Sequence, residues 1–141
     1  MRPIEVVNAA IKAHADEFIT NATPQGYETS CGDFGAKLSG GQQQRISVAR
    51  AILRDPDILI LDEASSQIDP KSEKLIHDSL REFVEDRTAI MISHRMSTLD
   101  LADRIMVMEH GRIVDIGTHE ELMERCRRYQ LLRELPLKKS A

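Results

Sequence analysis

The chain has 141 residues, 41% hydrophobic and 30% charged, a composition that suits one soluble globular domain with an ordinary core. Its net charge of −4 and pI near 5.7 argue against a general nucleic-acid binder, and no apolar run approaches the ~20 residues needed to cross a bilayer. Cys31 and Cys126 match no metal-ligand spacing and read as reduced thiols; the absence of Trp and the 4% aromatic content exclude a base-stacking surface.

Along the chain, Ile4, Val7, Ala10, Ile11, Phe18 and Ile19 recur at helical spacing, with a break predicted near His14. Residues 22–37 hold Pro24, Gly26, Gly32 and Gly35 and read as a loop. A helix is predicted from Ser39 to Arg54, ended by Asp55-Pro56-Asp57. Ile58 to Leu61 is apolar without alternation, the pattern of a strand covered on both faces. A second helix follows from Pro70 to Val84, with Leu75, Ile76, Leu80 and Phe83 inward, and then a β-rich run from Thr88 to Ser93. Strand, helix, strand implies a parallel crossover and an α/β fold. Arg104–Glu109 and Arg112–Ile116 flank His110-Gly111, a hairpin signal, and Thr118 with Glu121 has the spacing of a capping box. From Met123 onward the chain turns basic: Arg125, Arg127, Arg128, Arg133, Lys138 and Lys139 face Glu124 and Glu134. This reads as a solvated terminal helix, with attraction to an anionic membrane surface as the alternative.

Three segments carry chemistry. Leu38-Ser39-Gly40-Gly41-Gln42-Gln43-Gln44-Arg45 opens the helix ending at Arg54. Ser39 and Gln42 suit a capping box, but two consecutive glycines cost about 1 kcal/mol each against alanine. They make sense where a phosphate must approach bare N–H groups at the positive end of a helix. Asp62-Glu63 closes the strand from Ile58, where open α/β sheets place ligands; two carboxylates there need a partner such as a divalent cation. His94 follows the Thr88–Ser93 strand and also falls at a carboxyl end, whereas His14, His77, His110 and His119 read as surface residues.

These segments, in this order, resemble the signature sequence, Walker B strand and switch histidine of the ATP-binding cassette (ABC) family. The resemblance runs from about Pro3 to Leu122 and implies part of a P-loop NTPase core plus part of the ABC helical subdomain. It assigns residues 1–54 to the helical subdomain with the signature helix, 55–122 to a partial ATPase core, and 123–141 to a basic tail. By resemblance, Ser39, Gly40, Gly41 and Gln42 contact ATP held by an opposing cassette. Asp62 holds Mg²⁺, Glu63 orients or deprotonates the attacking water, and His94 contacts the γ-phosphate. Residues 64–69 stand in the place of the D-loop that crosses the dimer interface; Ser66 and Asp69 match, and Gln67 replaces a small residue. Thr29 to Gly35 is similar to the exporter-type stretch that touches the membrane domain, with Cys31 and Asp33 in place of Val and Glu.

No G-x-x-x-x-G-K-[ST] occurs in the 141 residues, so the expectation is the C-terminal part of an exporter's nucleotide-binding domain, without the Walker A loop. The implied partners are a second nucleotide-binding domain, in a homo- or heterodimer, and a transmembrane domain at whose cytoplasmic face the chain would work; no nucleic acid is expected. The alternatives are a soluble ABC ATPase acting on nucleic acid or ribosomes, and a non-catalytic half-cassette lending its signature to a partner. In this class of core the Walker A strand lies between the strand ending at Ser93 and the one near Ile105. Its absence predicts that those two strands either pair directly or exchange strands between chains.

Overall fold

The computed structural model describes residues 4–62, 68–93 and 96–134. They form two compact units, 1–94 and 95–141.

In the first unit α1 (Ile4–Lys12) and α2 (Asp16–Asn21) are separated at the predicted break, where His14 takes a left-handed φ of 51° between buried Ala13 and Ala15. The loop that follows contains two 3-10 turns, Gly26–Glu28 and Asp33–Gly35. Helix α3 (Gly40–Arg54) begins at Ser39 and ends at Asp55, whose left-handed conformation (φ 46°) turns its N–H back to the Ala51 and Ile52 carbonyls. The chain then forms β1 (Ile58–Asp62), α4 (Pro70–Val84) and β2 (Thr88–Ile92), with the strands parallel and in register from Ile58↔Thr88 to Asp62↔Ile92. Helix α3 packs on both α1 and α4, and Ala9, Ala10, Phe18, Val48, Ile76, Leu80 and Phe83 are buried. Arg87 ties the end of α4 to the end of α3. Its Nη1 lies 2.8 Å from Asp55 Oδ1, and its guanidinium stacks 4.3 Å from the Phe83 ring centroid.

Among the described residues of this unit, β1 is covered on one face and not on both as expected. Leu59 is buried, but Ile58 and Ile60 are 60% and 65% exposed, and in β2 Ile90 and Ile92 are 52% and 58% exposed. Parallel register sets Ile60 beside Ile90 and Ile92 beside Asp62. Successive side chains point to opposite faces, and the elements of this unit bury only one of them.

In the second unit α5 (Met96–Leu99) precedes the hairpin β3 (Ile105–Glu109) and β4 (Arg112–Gly117). Of the two expected outcomes, direct pairing of the Thr88 strand with the Ile105 strand does not occur among the described residues. Among the described residues β2 pairs with β1, and β3 with β4, in separate two-stranded sheets. His110 (φ 48°) and Gly111 (φ 74°) adopt the two positive φ values that close a tight antiparallel turn, which gives β3 a local partner along one of its edges.

Helices α6 (His119–Arg125) and α7 (Arg127–Glu134) complete the unit. Leu122, fully buried, packs with Ile105, Val107, Cys126 and Tyr129. Arg125, Arg127, Arg128 and Arg133 are exposed, as a solvated helix requires, and two of them also form ion pairs. Arg125 makes a two-point contact with Asp115 at 3.0 and 3.1 Å and also donates to the Ile116 carbonyl, and Arg128 reaches Glu109 at 3.1 Å. His119 is not a simple surface residue. It lies 2.9 Å from the Tyr129 hydroxyl and 2.7 Å from Arg133 Nη1.

Candidate functional site

The first turn of α3 is organised by its own side chains. The Ser39 Oγ accepts from the Gln42 N–H at 3.3 Å, and the Gln42 Oε1 accepts from the Ser39 N–H at 2.9 Å, which completes the predicted capping box. The preceding loop is fastened by Gln43, whose Nε2 donates to the carbonyls of Gly35 (3.0 Å) and Leu38 (3.2 Å). Arg45, the last residue of the glycine-containing run, is buried. Its Nη1 donates to the His14 carbonyl at 2.8 Å, its Nε lies 3.4 Å from the Gly41 carbonyl, and its guanidinium stacks 4.8 Å from the Phe18 ring centroid. One cation thus joins the α1–α2 break, α2 and the start of α3.

Gly41 is buried against α4. A Cβ at this position would lie 2.5 Å from Ser72 Cβ, 2.6 Å from Ser72 Oγ and 3.4 Å from Ile68 Cγ2. The two Ser72 contacts are too short for a side chain at residue 41, so the close approach of the two helices gives Gly41 a packing requirement of its own. On the far side of that contact Asp69 caps α4, its carboxylate accepting from the Ser72 N–H at 2.9 Å. Hydrogen bonding to Ser72 holds the Asp69 carboxyl below its ordinary pKa.

The structure therefore sets Gly41 against Ser72 and Ile68, with the Ser39–Gln42 capping box on one side of that contact and the Asp69 cap on the other. Asp62 stands at the exposed carboxyl end of β1. Glu63, Ser66 and His94 lie outside the described residues. No cluster of three or more His, Cys, Asp or Glu capable of holding a metal occurs among the described residues. A single exposed carboxylate still fits Mg²⁺, a hard cation that commonly takes one or two protein carboxylates and completes its shell with phosphates and water.

Three side chains at this site carry no role in the sequence reading: Gln43, Arg45 and Ser72. Ser72 stands three residues after Asp69, the spacing of a cap and its N3 partner, and that signal was available. An apolar cleft between helices, lined by Ala10, Phe18, Ile46 and Leu53, also takes in Tyr27 and Cys31 from the loop before α3.

Comparison with known proteins defines the class. The ABC transporter family pattern matches residues 3–66. The chain is 50% identical over 128 residues to YgaD of Bacillus subtilis, named for multidrug export as an ATP-binding/permease protein; the match takes in 91% of this chain and 22% of that protein. It is 50% identical over 121 residues to ABC transporter B family member 17 of Arabidopsis thaliana, covering 86% of this chain and 10% of the relative. A solved bacterial Atm1-family ABC exporter with ATP bound superimposes with a TM-score of 0.85 at 38% identity, over 99% of this chain and 24% of the exporter. The chain thus spans less than a quarter of the length of these relatives.

Its class is that of the ABC transporters, with a partial P-loop NTPase α/β fold. Within that class it corresponds to a nucleotide-binding fragment of the exporter type. Among the described residues no helix is long and apolar enough to cross a membrane.

Proposed function

We propose that this chain is the signature-bearing, C-terminal part of a nucleotide-binding domain whose ATP-driven dimerisation powers export across a membrane. The observation that carries the reading is the Leu38–Arg45 run: it forms a capped helix start with glycines in its first turn and no acidic residue there. The first N–H groups of any helix lack intrahelical acceptors, and the helix dipole favours an anion at that end. Residues Ser39 to Gln42 would receive the γ-phosphate of ATP held by an opposing cassette. Asp69 and Ser66 would lie toward the same dimer interface.

On this reading residues 1–54 belong to the helical subdomain, 55–122 to the ATPase core and 123–141 to a terminal extension. Asp62 would hold Mg²⁺, which when bound supplies neutralisation of phosphate charge. Glu63 would accept a proton from the attacking water, and His94 would donate to the γ-phosphate. The apolar cleft beside Tyr27 and Cys31 would meet the transmembrane domain, which places the chain at the cytoplasmic face of the membrane. Alone, the chain would not turn over ATP, because the Walker A backbone and lysine that cradle phosphates in such enzymes are not among its residues.

The test is association. The chain is mixed with the complete nucleotide-binding domain of the Bacillus subtilis relative, and complex formation is followed by sedimentation with and without Mg·ATP. ATP-dependent association that weakens in Ser39→Ala is expected, whereas association indifferent to ATP would refute the reading.

A further inference from the structure

We propose that Ser72 is a positioning residue for the phosphate-facing turn of α3, seating Gly41 from within the same chain. The proposal rests on the reading of that turn given above, and its geometry is independent of any ligand. Ser72 is buried, at 7% exposure, and both its Cβ and its Oγ occupy the space a side chain at residue 41 would need. Ser72 is itself fixed from the other side, since its N–H is held by the Asp69 carboxylate. Arg45 Nε approaches the Gly41 carbonyl, and Ile68 Cγ2 stands beside the missing Cβ. Gly41 is therefore enclosed by Ser72 and Ile68 on its side-chain face and by Arg45 at its carbonyl.

Two consequences follow from this enclosure. The glycine at residue 41 is demanded by α4 of its own chain, and not only by whatever approaches the N–H groups from outside. The first turn of α3 and the segment Ile68–Ser72 also keep a fixed relation, so a phosphate that pulls on one displaces the other. A small residue at 72 thereby sets where the phosphate-facing N–H groups stand.

The two explanations of Gly41 differ in what they predict for Ser72. If only the partner's phosphate needs the space at Gly41, then Gly41→Ala weakens ATP-dependent association whatever occupies residue 72. If Ser72 seats Gly41, then Ser72→Gly removes both overlapping atoms and makes room for the added methyl. The experiment is a double-mutant cycle of the 141-residue chain: wild type, Gly41→Ala, Ser72→Gly and the pair. The Mg·ATP concentration for half-maximal association with the complete Bacillus subtilis domain is measured at a temperature where all four are folded. Amide hydrogen exchange of Gln42 and Gln43, whose N–H groups are bonded to the Ser39 Oγ and carbonyl, is measured in parallel.

Gly41→Ala should raise the half-maximal concentration on the order of tenfold, as overpacking does, and Ser72→Gly should restore most of that loss. Additive effects, with no rescue, would overturn the proposal. Should Gly41→Ala fail to fold, Ser72→Gly alone decides: faster exchange at Gln42 and Gln43 supports the seat, and unchanged exchange refutes it. If even the wild type shows no ATP-dependent association, the nucleotide reading falls, and the exchange cycle still settles whether Ser72 seats Gly41.

Discussion

Helices α3 and α6 begin with the same device and present opposite faces to an anion. In each, a hydroxyl accepts from the N3 amide at 3.3 Å and the N3 side chain accepts from the cap amide at 2.9 Å, with Ser39 and Gln42 in one and Thr118 and Glu121 in the other. Between cap and N3 they diverge. Helix α6 fills its first turn with Glu120 and Glu121, and bonding to its own N–H and to Thr118 holds the Glu120 carboxyl below its usual pKa. That helix supplies its own negative charge. Helix α3 carries Gly40, Gly41 and a neutral amide, so its positive end is uncompensated from within. A cap stabilises a helix; the residues inside the cap decide whether the helix end remains open to a ligand.

The largest effect expected tests whether α6 depends on its cap at all. Leu122 is fully buried in the cluster of the second unit, and Leu122→Ala should cost about 2–5 kcal/mol of stability. Thermal melting should show it, with Tyr129 losing its buried environment. A loss no larger than that from Thr118→Ala would mean the cap outweighs the packing.

Next in size is the cap of α3 itself. Ser39→Ala should cost about 1 kcal/mol in melting, a normal cap loss, and should also weaken ATP-dependent association. Melting loss without loss of association would separate the stabilising role of Ser39 from the proposed phosphate contact.

Much of this comparison is legible in the sequence, and the rest is hidden for identifiable reasons. Both capping boxes, the break at His14 and the hairpin at His110-Gly111 depend on residues within a few positions of one another, so local spacing reveals them. The Gly41–Ser72 contact joins residues far apart in the chain, and no periodicity announces it. The arginines of the basic terminus look solvated by composition and are exposed, but the acids that Arg125 and Arg128 pair with, Asp115 and Glu109, are not legible from local spacing. The apolar run at β1 reads alike whether its second face is covered by this chain or by another, and Ile58 and Ile60 are exposed. For the site, Ser39, Gly41, Gln42 and Asp69 are placed by the structure. The expected roles of Glu63, Ser66 and His94 fall outside the described residues.

A smaller effect should follow pH. The carboxyls of Asp69 and Asp115 are held below their ordinary pKa, the first by hydrogen bonds to Ser72 and the second by Arg125. A depressed folded-state pKa contributes stability that is present above the unfolded value, near 3.9, and lost as pH falls through the folded value. Melting temperature should therefore fall below about pH 4, and the fall should be shallower in Asp69→Asn and Asp115→Asn. An identical acid slope in both variants would mean other carboxylates govern the transition.

The smallest change in stability should be the most discriminating, because it converts one helix start into the other. Gln42→Glu gives α3 the cap chemistry of α6: the carboxylate can still accept from the Ser39 N–H, and its charge suits the helix dipole. Stability should hold or rise by roughly 0.3–1 kcal/mol at low salt. The same charge then competes with any phosphate for the same end of the helix, so half-maximal association should need roughly two- to fivefold more Mg·ATP. Glu121→Gln is the converse and should cost α6 a few tenths of a kcal/mol while leaving association unchanged. Melting and association are predicted to move in opposite directions in Gln42→Glu, which simple destabilisation cannot produce. If both fall together, the cap tolerates no charge and the distinction between a closed and an open helix start fails. If association is unmoved while stability rises, no anion approaches α3, and the glycines at 40 and 41 answer to packing alone.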